Sequence, residues 1–165
     1  MRYADDFVIL CKTKPEAERA LDLTRTFLKN MQLEDSPEKT KIRHFSEGFD
    51  FLGFTIKYGS VQMRMKSKEK FKDSVKEITT RSHNLNKEVI EKLNRVIRGT
   101  VNYFGTKFST MKSTFQRLDQ WIRMRLRCMK YKRISKEDNW RCKIKTLQKM
   151  GLLSCYDLHR ARLHC

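Results

Sequence analysis

A chain of 165 residues with 39% hydrophobic residues and a net charge of +18 can bury a core without disulfide staples. Its five cysteines stand singly at 11, 128, 142, 155 and 165 with no CxxC pair, which gives no support to a disulfide framework or zinc ribbon and suits reduced thiols in a cytoplasmic protein. No stretch approaches the roughly 18 apolar residues of a membrane span, and no apolar signal core follows a basic flank, so no membrane partner is expected.

In chain order, the apolar run FVILC (Phe7 to Cys11) suits a buried strand, with Met1 to Tyr3 as its hairpin partner and Ala4 to Asp6 near the turn. Thr13 reads as an N-cap, with Glu16 completing a capping box and Pro15 in the first turn. The helix should run to about Met31, because Ala17, Leu21, Leu28 and Met31 share a face. Beyond Asp35 to Pro37, three strand candidates follow: Lys41 to Phe45, Phe49 to Ile56, and Val61 to Met65, the last two joined by KYGS.

From there the pattern turns helical. Ser67 can cap a helix with Phe71, Val75 and Ile78 on one face, and Asn86 can start another with Val89, Ile90, Leu93 and Ile97. A longer helix from about Ser113 to Ile134 carries the stripe Phe115, Leu118, Ile122, Leu126 and Met129. Arg123, Arg127 and Lys130 form a basic ridge beside that stripe. A helix with Trp140, Ile144 and Leu147 stops at Gly151, and a last one starts with Ser154 and Asp157 as a capping box. Phe115 and Trp140 are expected in the core. Cys142, Cys155, His159, His164 and Cys165 fit no paired metal-ligand spacing.

Charge divides the chain. Residues 1–60 carry 10 Lys+Arg and 10 Asp+Glu, whereas 61–165 carry 27 against 9 and so hold the entire excess. A basic field confined to one region favours a polyanion such as nucleic acid. A merely solvated lysine face is the alternative.

The letters YADD (Tyr3 to Asp6) place two carboxylates side by side at a strand turn. Such a pair repels itself unless a cation lies between the charges, and Mg²⁺ favours carboxylates together with substrate phosphates. Phosphoryl and nucleotidyl transfer use two such ions about 4 Å apart. By themselves, adjacent aspartates in a turn are equally a structural feature.

RYADDFVIL, a helix, SPEKTKIRHF (Ser36 to Phe45) and FDFLGFTI (Phe49 to Ile56) together resemble the palm of a reverse transcriptase, motif after motif in order. IRGTVNYFG (Ile97 to Gly105) and FQRLDQWIRMRLR (Phe115 to Arg127) resemble the thumb and maturase-specific domain X of group II intron-encoded proteins. The implied fold is α+β: a partial palm of antiparallel hairpins plus one helix over residues 1–65, then an all-helical thumb and maturase region over 66–165.

The resemblance implies that Asp5 and Asp6 are Mg²⁺ ligands of a two-ion polymerase site. It also implies that Lys39 lies near the triphosphate, although it reads equally as an exposed loop lysine. Tyr3 would stand beside the primer end, and Phe51, Leu52 and Gly53 would form the primer-grip hairpin. Arg117, Arg123, Arg127, Lys130, Lys132 and Arg133 would face group II intron RNA or an RNA–DNA duplex. Two departures stand out: Thr100 occupies a place usually held by Trp, and the aromatic, basic tail of domain X is not recognisable after His159.

A third carboxylate, the fingers and the template channel would precede Met1. The expectation is therefore the C-terminal portion of a longer protein, unable to polymerise alone and completed by a fingers and palm segment in trans. A non-catalytic RNA-binding splicing cofactor and a decayed remnant are the alternatives. Alanine at both aspartates separates the first two.

Overall fold

The computed structural model describes residues 2–3, as backbone, and 6–163. Strands β1 (Arg2–Tyr3) and β2 (Asp6–Phe7) pair antiparallel with Tyr3 opposite Asp6. Asp6 thus lies in a strand, while the expected positions of Met1, Ala4 and Asp5 fall outside the described residues. The strand expected over Phe7 to Cys11 stops at Phe7. Residues 8–11 are not in a strand, and Ile9 and Leu10 are exposed.

Helix α1 (Lys14–Asn30) starts as its sequence dictates. The Thr13 hydroxyl accepts from Glu16 N at 3.4 Å, and the Glu16 carboxylate reaches back past the cap to Lys12 N at 2.9 Å. Yet α1 has no buried residue. Ala17, Leu21 and Leu28 of its expected inner face are half-buried, whereas Met31 is exposed. Leu23 and Phe27 are 71% and 63% exposed. The Arg25–Asp35 pair ties the helix to the loop that follows.

That loop replaces the strand expected over Lys41 to Phe45. His44 Nδ1 lies 2.6 Å from the Ser46 hydroxyl and the backbone turns at His44–Glu47, so the side chain and turn satisfy groups a ladder would otherwise use.

β3 (Phe49–Phe51), β4 (Phe54–Lys57) and β5 (Ser60–Met63) form an antiparallel sheet in that order. The single strand expected over Phe49 to Ile56 is therefore a hairpin, with Phe51 opposite Phe54 and Leu52–Gly53 as its two-residue turn. Both turn residues have positive φ, 48° and 78°, the requirement of a turn whose twist matches its strands.

The helices are α2 (Met65–Ile78), α3 (Lys87–Phe104), α4 (Lys112–Tyr131), α5 (Asp138–Arg141), α6 (Ile144–Lys149) and α7 (Cys155–Leu163). Asn86 caps α3 by accepting from Val89 N at 2.9 Å. Ser67 does not cap α2, which begins two residues earlier. Its hydroxyl instead donates to Gly53 O at 3.2 Å. α4 ends at Tyr131 because Lys132 turns left-handed, with φ 59°. Trp140 and Leu147 do not share one helix. The backbone leaves the helical conformation at Cys142, with φ −122° and ψ 86°, and the Cys142 carbonyl accepts from Arg127 Nε at 3.0 Å.

One core unites the sheet and helices: Met63, Phe71 and Val75 meet Ile90, Leu93, Ile97 and Val101 of α3 and Phe115, Ile122, Leu126 and Met129 of α4. Phe115 is fully buried, as expected. Trp140 is not: it is 80% exposed, because the break at Cys142 turns α5 away from the face carrying Leu147. β5 is fastened to the helical part by Thr110, whose N donates to Val61 O at 2.8 Å and whose hydroxyl accepts from Val61 N at 3.1 Å. In packing, the three-stranded sheet thus belongs with the helices.

Candidate nucleic-acid interface

The Leu52–Gly53 turn is held from three sides. Tyr103 of α3 donates its hydroxyl to Leu52 O at 2.9 Å, and Gly53 O accepts from both Arg64 N at 2.9 Å and the Ser67 hydroxyl. A left-handed leucine is costly and persists only where its surroundings fix it. A Cβ at Gly53 would meet Ser67 Oγ at 3.2 Å with φ already positive, so Gly serves both conformation and close approach. Beneath the turn Phe54 packs on Tyr103 and Phe104 with ring centroids 5.8 and 5.0 Å away. Beside it runs an open groove of about 360 Å³ lined by Lys70, Ser74, Thr100 and Tyr103 among others. Phe51 is buried in the sheet, and Leu52 and Gly53 are half-buried at the groove edge. Thr100, where a larger residue was expected, helps leave that groove open.

The basic residues of α4 and its end divide by partner. Arg117 is exposed and makes no hydrogen bond or ion pair among the described residues, and Lys130 stands 5.4 Å over the Tyr131 ring. Arg123 is half-buried. Arg127 holds the Cys142 carbonyl. Lys132 Nζ donates to Arg81 O and His83 O at 2.6 and 2.5 Å. Arg133 pairs with the buried Asp138 at 3.2 Å, a hydrogen bond and charge that hold its guanidinium above the usual range. The ridge therefore combines cations free to meet phosphate with cations that brace the backbone.

Two bracing residues carry no obvious sequence signal of their role. Arg125 fastens the end of α2 through Thr79, with Nε to Oγ1 at 3.1 Å and Nη2 to O at 2.8 Å. Asp119, buried in α4, accepts from Cys155 N at 2.7 Å, Tyr156 N at 3.0 Å and the Ser154 hydroxyl at 2.7 Å. Ser154 in turn accepts from Asp157 N at 3.1 Å, so the expected cap of α7 exists and is backed by a carboxylate from another helix. A charged residue beside Leu118 on an apolar stripe was the one clue. Burial, then the neighbouring Asp119, push the Cys155 thiol far up.

Asp6 is exposed in β2 and Lys39 is exposed in the turn at Ser36. No hydrogen bond or ion pair joins their side chains. Asp5 and the side chain of Tyr3 lie outside the described residues. Among the described residues no three His, Cys, Asp or Glu side chains group to hold a metal ion. Nor, among those residues, is any helix long and apolar enough to cross a membrane.

Residues 1–56 match the family described as reverse transcriptase (RNA-dependent DNA polymerase), and residues 68–149 match the group II intron, maturase-specific domain. Protein YkfC of Escherichia coli (strain K12) is 38% identical over 69 residues, which is 38% of this chain and 18% of that relative's length. Reverse transcriptases use divalent metal ions, and the maturase-specific domain implies binding of RNA. With a reverse-transcriptase segment leading into a maturase-specific domain, the chain belongs to the group II intron reverse transcriptase/maturase family.

Proposed function

We propose that this chain is a segment of an RNA-directed DNA polymerase and intron maturase that binds group II intron RNA and RNA–DNA duplex. In this reading residues 1–65 are the end of the palm and 66–165 the thumb and maturase domain. Asp5 and Asp6 contribute two ligands to a Mg²⁺ pair, Lys39 lies near the triphosphate, and a fingers and palm partner supplies the rest. Tyr3, Phe51, Leu52 and Gly53 position the primer. Arg117, Arg123 and Lys130 meet phosphates, and Arg127, Lys132 and Arg133 add positive charge to the same surface through the donors left over from their internal contacts.

The observation that carries the reading is the braced Leu52–Gly53 turn. A polymerase must hold a primer strand within fractions of an ångström, and preorganised backbone achieves that where a mobile loop cannot. Leu52 in a left-handed conformation with its carbonyl fixed by Tyr103, at the edge of a groove carrying Lys70, suits that task. The uncovered Leu23 and Phe27 of α1 support a partner packing on the palm segment.

The test is Mg²⁺-dependent nucleotide incorporation on a primed RNA template. The chain alone is expected to be inactive, and activity is expected when a reverse-transcriptase fingers and palm segment is added, lost again with Asp5→Ala/Asp6→Ala. Incorporation that persists in the double variant would overturn the assignment of the aspartates.

A second reading, a non-catalytic maturase, draws on one observation: the core lies in the sheet and helices, and α1 has no buried residue. RNA binding would then survive loss of both aspartates, and no added segment would bring incorporation.

A further inference from the structure

A second basic feature lies away from the α4 ridge. Helices α3 and α7 pack together, and between them opens a cleft of about 400 Å³ lined by Arg98 and Asn102 of α3 and Leu158, Ala161 and Arg162 of α7. No α4 residue and no carboxylate lines it. The acidic residues in sequence nearest to it, Glu91 and Asp157, are exposed and outside the lining.

The two arginines differ in a useful way. Arg162 Nη1 donates to Val101 O at 3.1 Å and to Asn102 Oδ1 at 3.0 Å. Its guanidinium is thereby fixed, and Nε and Nη2 make no hydrogen bond among the described residues. Arg98 is exposed and makes no hydrogen bond or ion pair at all among those residues. A fixed guanidinium and a movable one lining the same cleft as an amide offer donors suited to the oxygens of a phosphate, and little entropy is lost by the fixed partner. Leu158 and Ala161 add an apolar wall that inorganic phosphate would not use and a ribose or base edge would. The cleft is open rather than enclosed, which suits a strand crossing it.

We propose that the α3–α7 cleft binds a phosphodiester of an RNA strand, with Arg98 and Arg162 as its ligands, as a contact separate from the α4 ridge. This rests on the RNA-binding reading above. Arg98 is the residue to change, because Arg162 also supports the end of α3.

The measurement is the Kd of the full chain for a labelled single-stranded RNA across a KCl series, for wild type, Arg98→Gln and Arg98→Glu. Loss of one phosphate contact should flatten the slope of log K against log salt by about 0.7 and weaken binding several-fold, more for Arg98→Glu, with the thermal midpoint unchanged. An unchanged slope and Kd in both variants, while the wild type binds, overturns the cleft and leaves the RNA-binding reading intact. No salt-dependent binding by the wild type overturns both. Arg98-dependent binding of millimolar inorganic phosphate that leaves RNA affinity and salt slope untouched would mean a free-anion site and refute the strand.

Discussion

Asp119 joins the last helix to the core, and its three accepted hydrogen bonds give a stability prediction. Asp119→Ala leaves two backbone N–H groups of α7 and the Ser154 hydroxyl without their partner, which should cost about 2–3 kcal/mol in urea unfolding. A loss under about 0.5 kcal/mol, the usual range of a surface change, would mean that water replaces the carboxylate.

His159 is also buried, against the Phe115 ring at 5.1 Å. Burial first, and the charge of Arg162 as a further cause, hold its pKa below the usual value of 6.5. The folded state therefore binds fewer protons than the unfolded one, and stability should fall as pH drops below about 6.5 toward the lowered folded value. The melting temperature of His159→Gln should lose that part of the pH dependence; the same slope in both proteins would refute the assignment. Peptide-resolved alkylation should find Cys11, half-exposed, reactive and Cys128, Cys142 and Cys155, all buried, protected until unfolding.

At the scale of elements, helices with a continuous apolar stripe were legible. Val89, Ile90, Leu93 and Ile97 define α3 and Phe115 to Met129 define α4, because burial against one core repeats with the helical period. Elements decided by a distant group were not. The periodicity of Trp140, Ile144 and Leu147 fits one helix, but Arg127 takes the Cys142 carbonyl from another part of the chain. Ser67 looks like a cap, yet its hydroxyl serves Gly53. Strand propensity alone hid the Leu52–Gly53 turn, because Leu is a poor signal for a positive φ, and only the resemblance to a primer-grip hairpin pointed to it.

α1 illustrates the opposite case, with local signals sufficient and tertiary support missing. A helix with a good cap but no buried residue opens at little cost. Limited proteolysis should first cut within residues 8–45 and spare the sheet and helices. Early cuts inside α3 or α4 would contradict a core centred there.

At the scale of the whole molecule, charge and fold coincide. The excess of 18 positive charges lies entirely beyond residue 60, where the helices carry both the core and the basic surface. The family and the α+β architecture were readable from motif order. The proposed metal ligands rest on the sequence: Asp5 lies outside the described residues, and among those residues Asp6 belongs to no group of three or more His, Cys, Asp or Glu side chains. Which cations are free was not readable: Arg117, Arg127 and Lys132 look alike in sequence, and only packing distinguishes a cation without an internal partner from a backbone brace.

The most direct test of the central claim, RNA binding by the helical region independent of the palm aspartates, is the salt dependence of affinity for a structured RNA. The full chain, Asp5→Ala/Asp6→Ala and Arg117→Gln/Lys130→Gln would be compared. Steep salt dependence, unchanged in the first double variant and flattened by about one to two units of slope in the second, is the expected result. Affinity indifferent to salt, or lost with the aspartates while the fold survives, would contradict it.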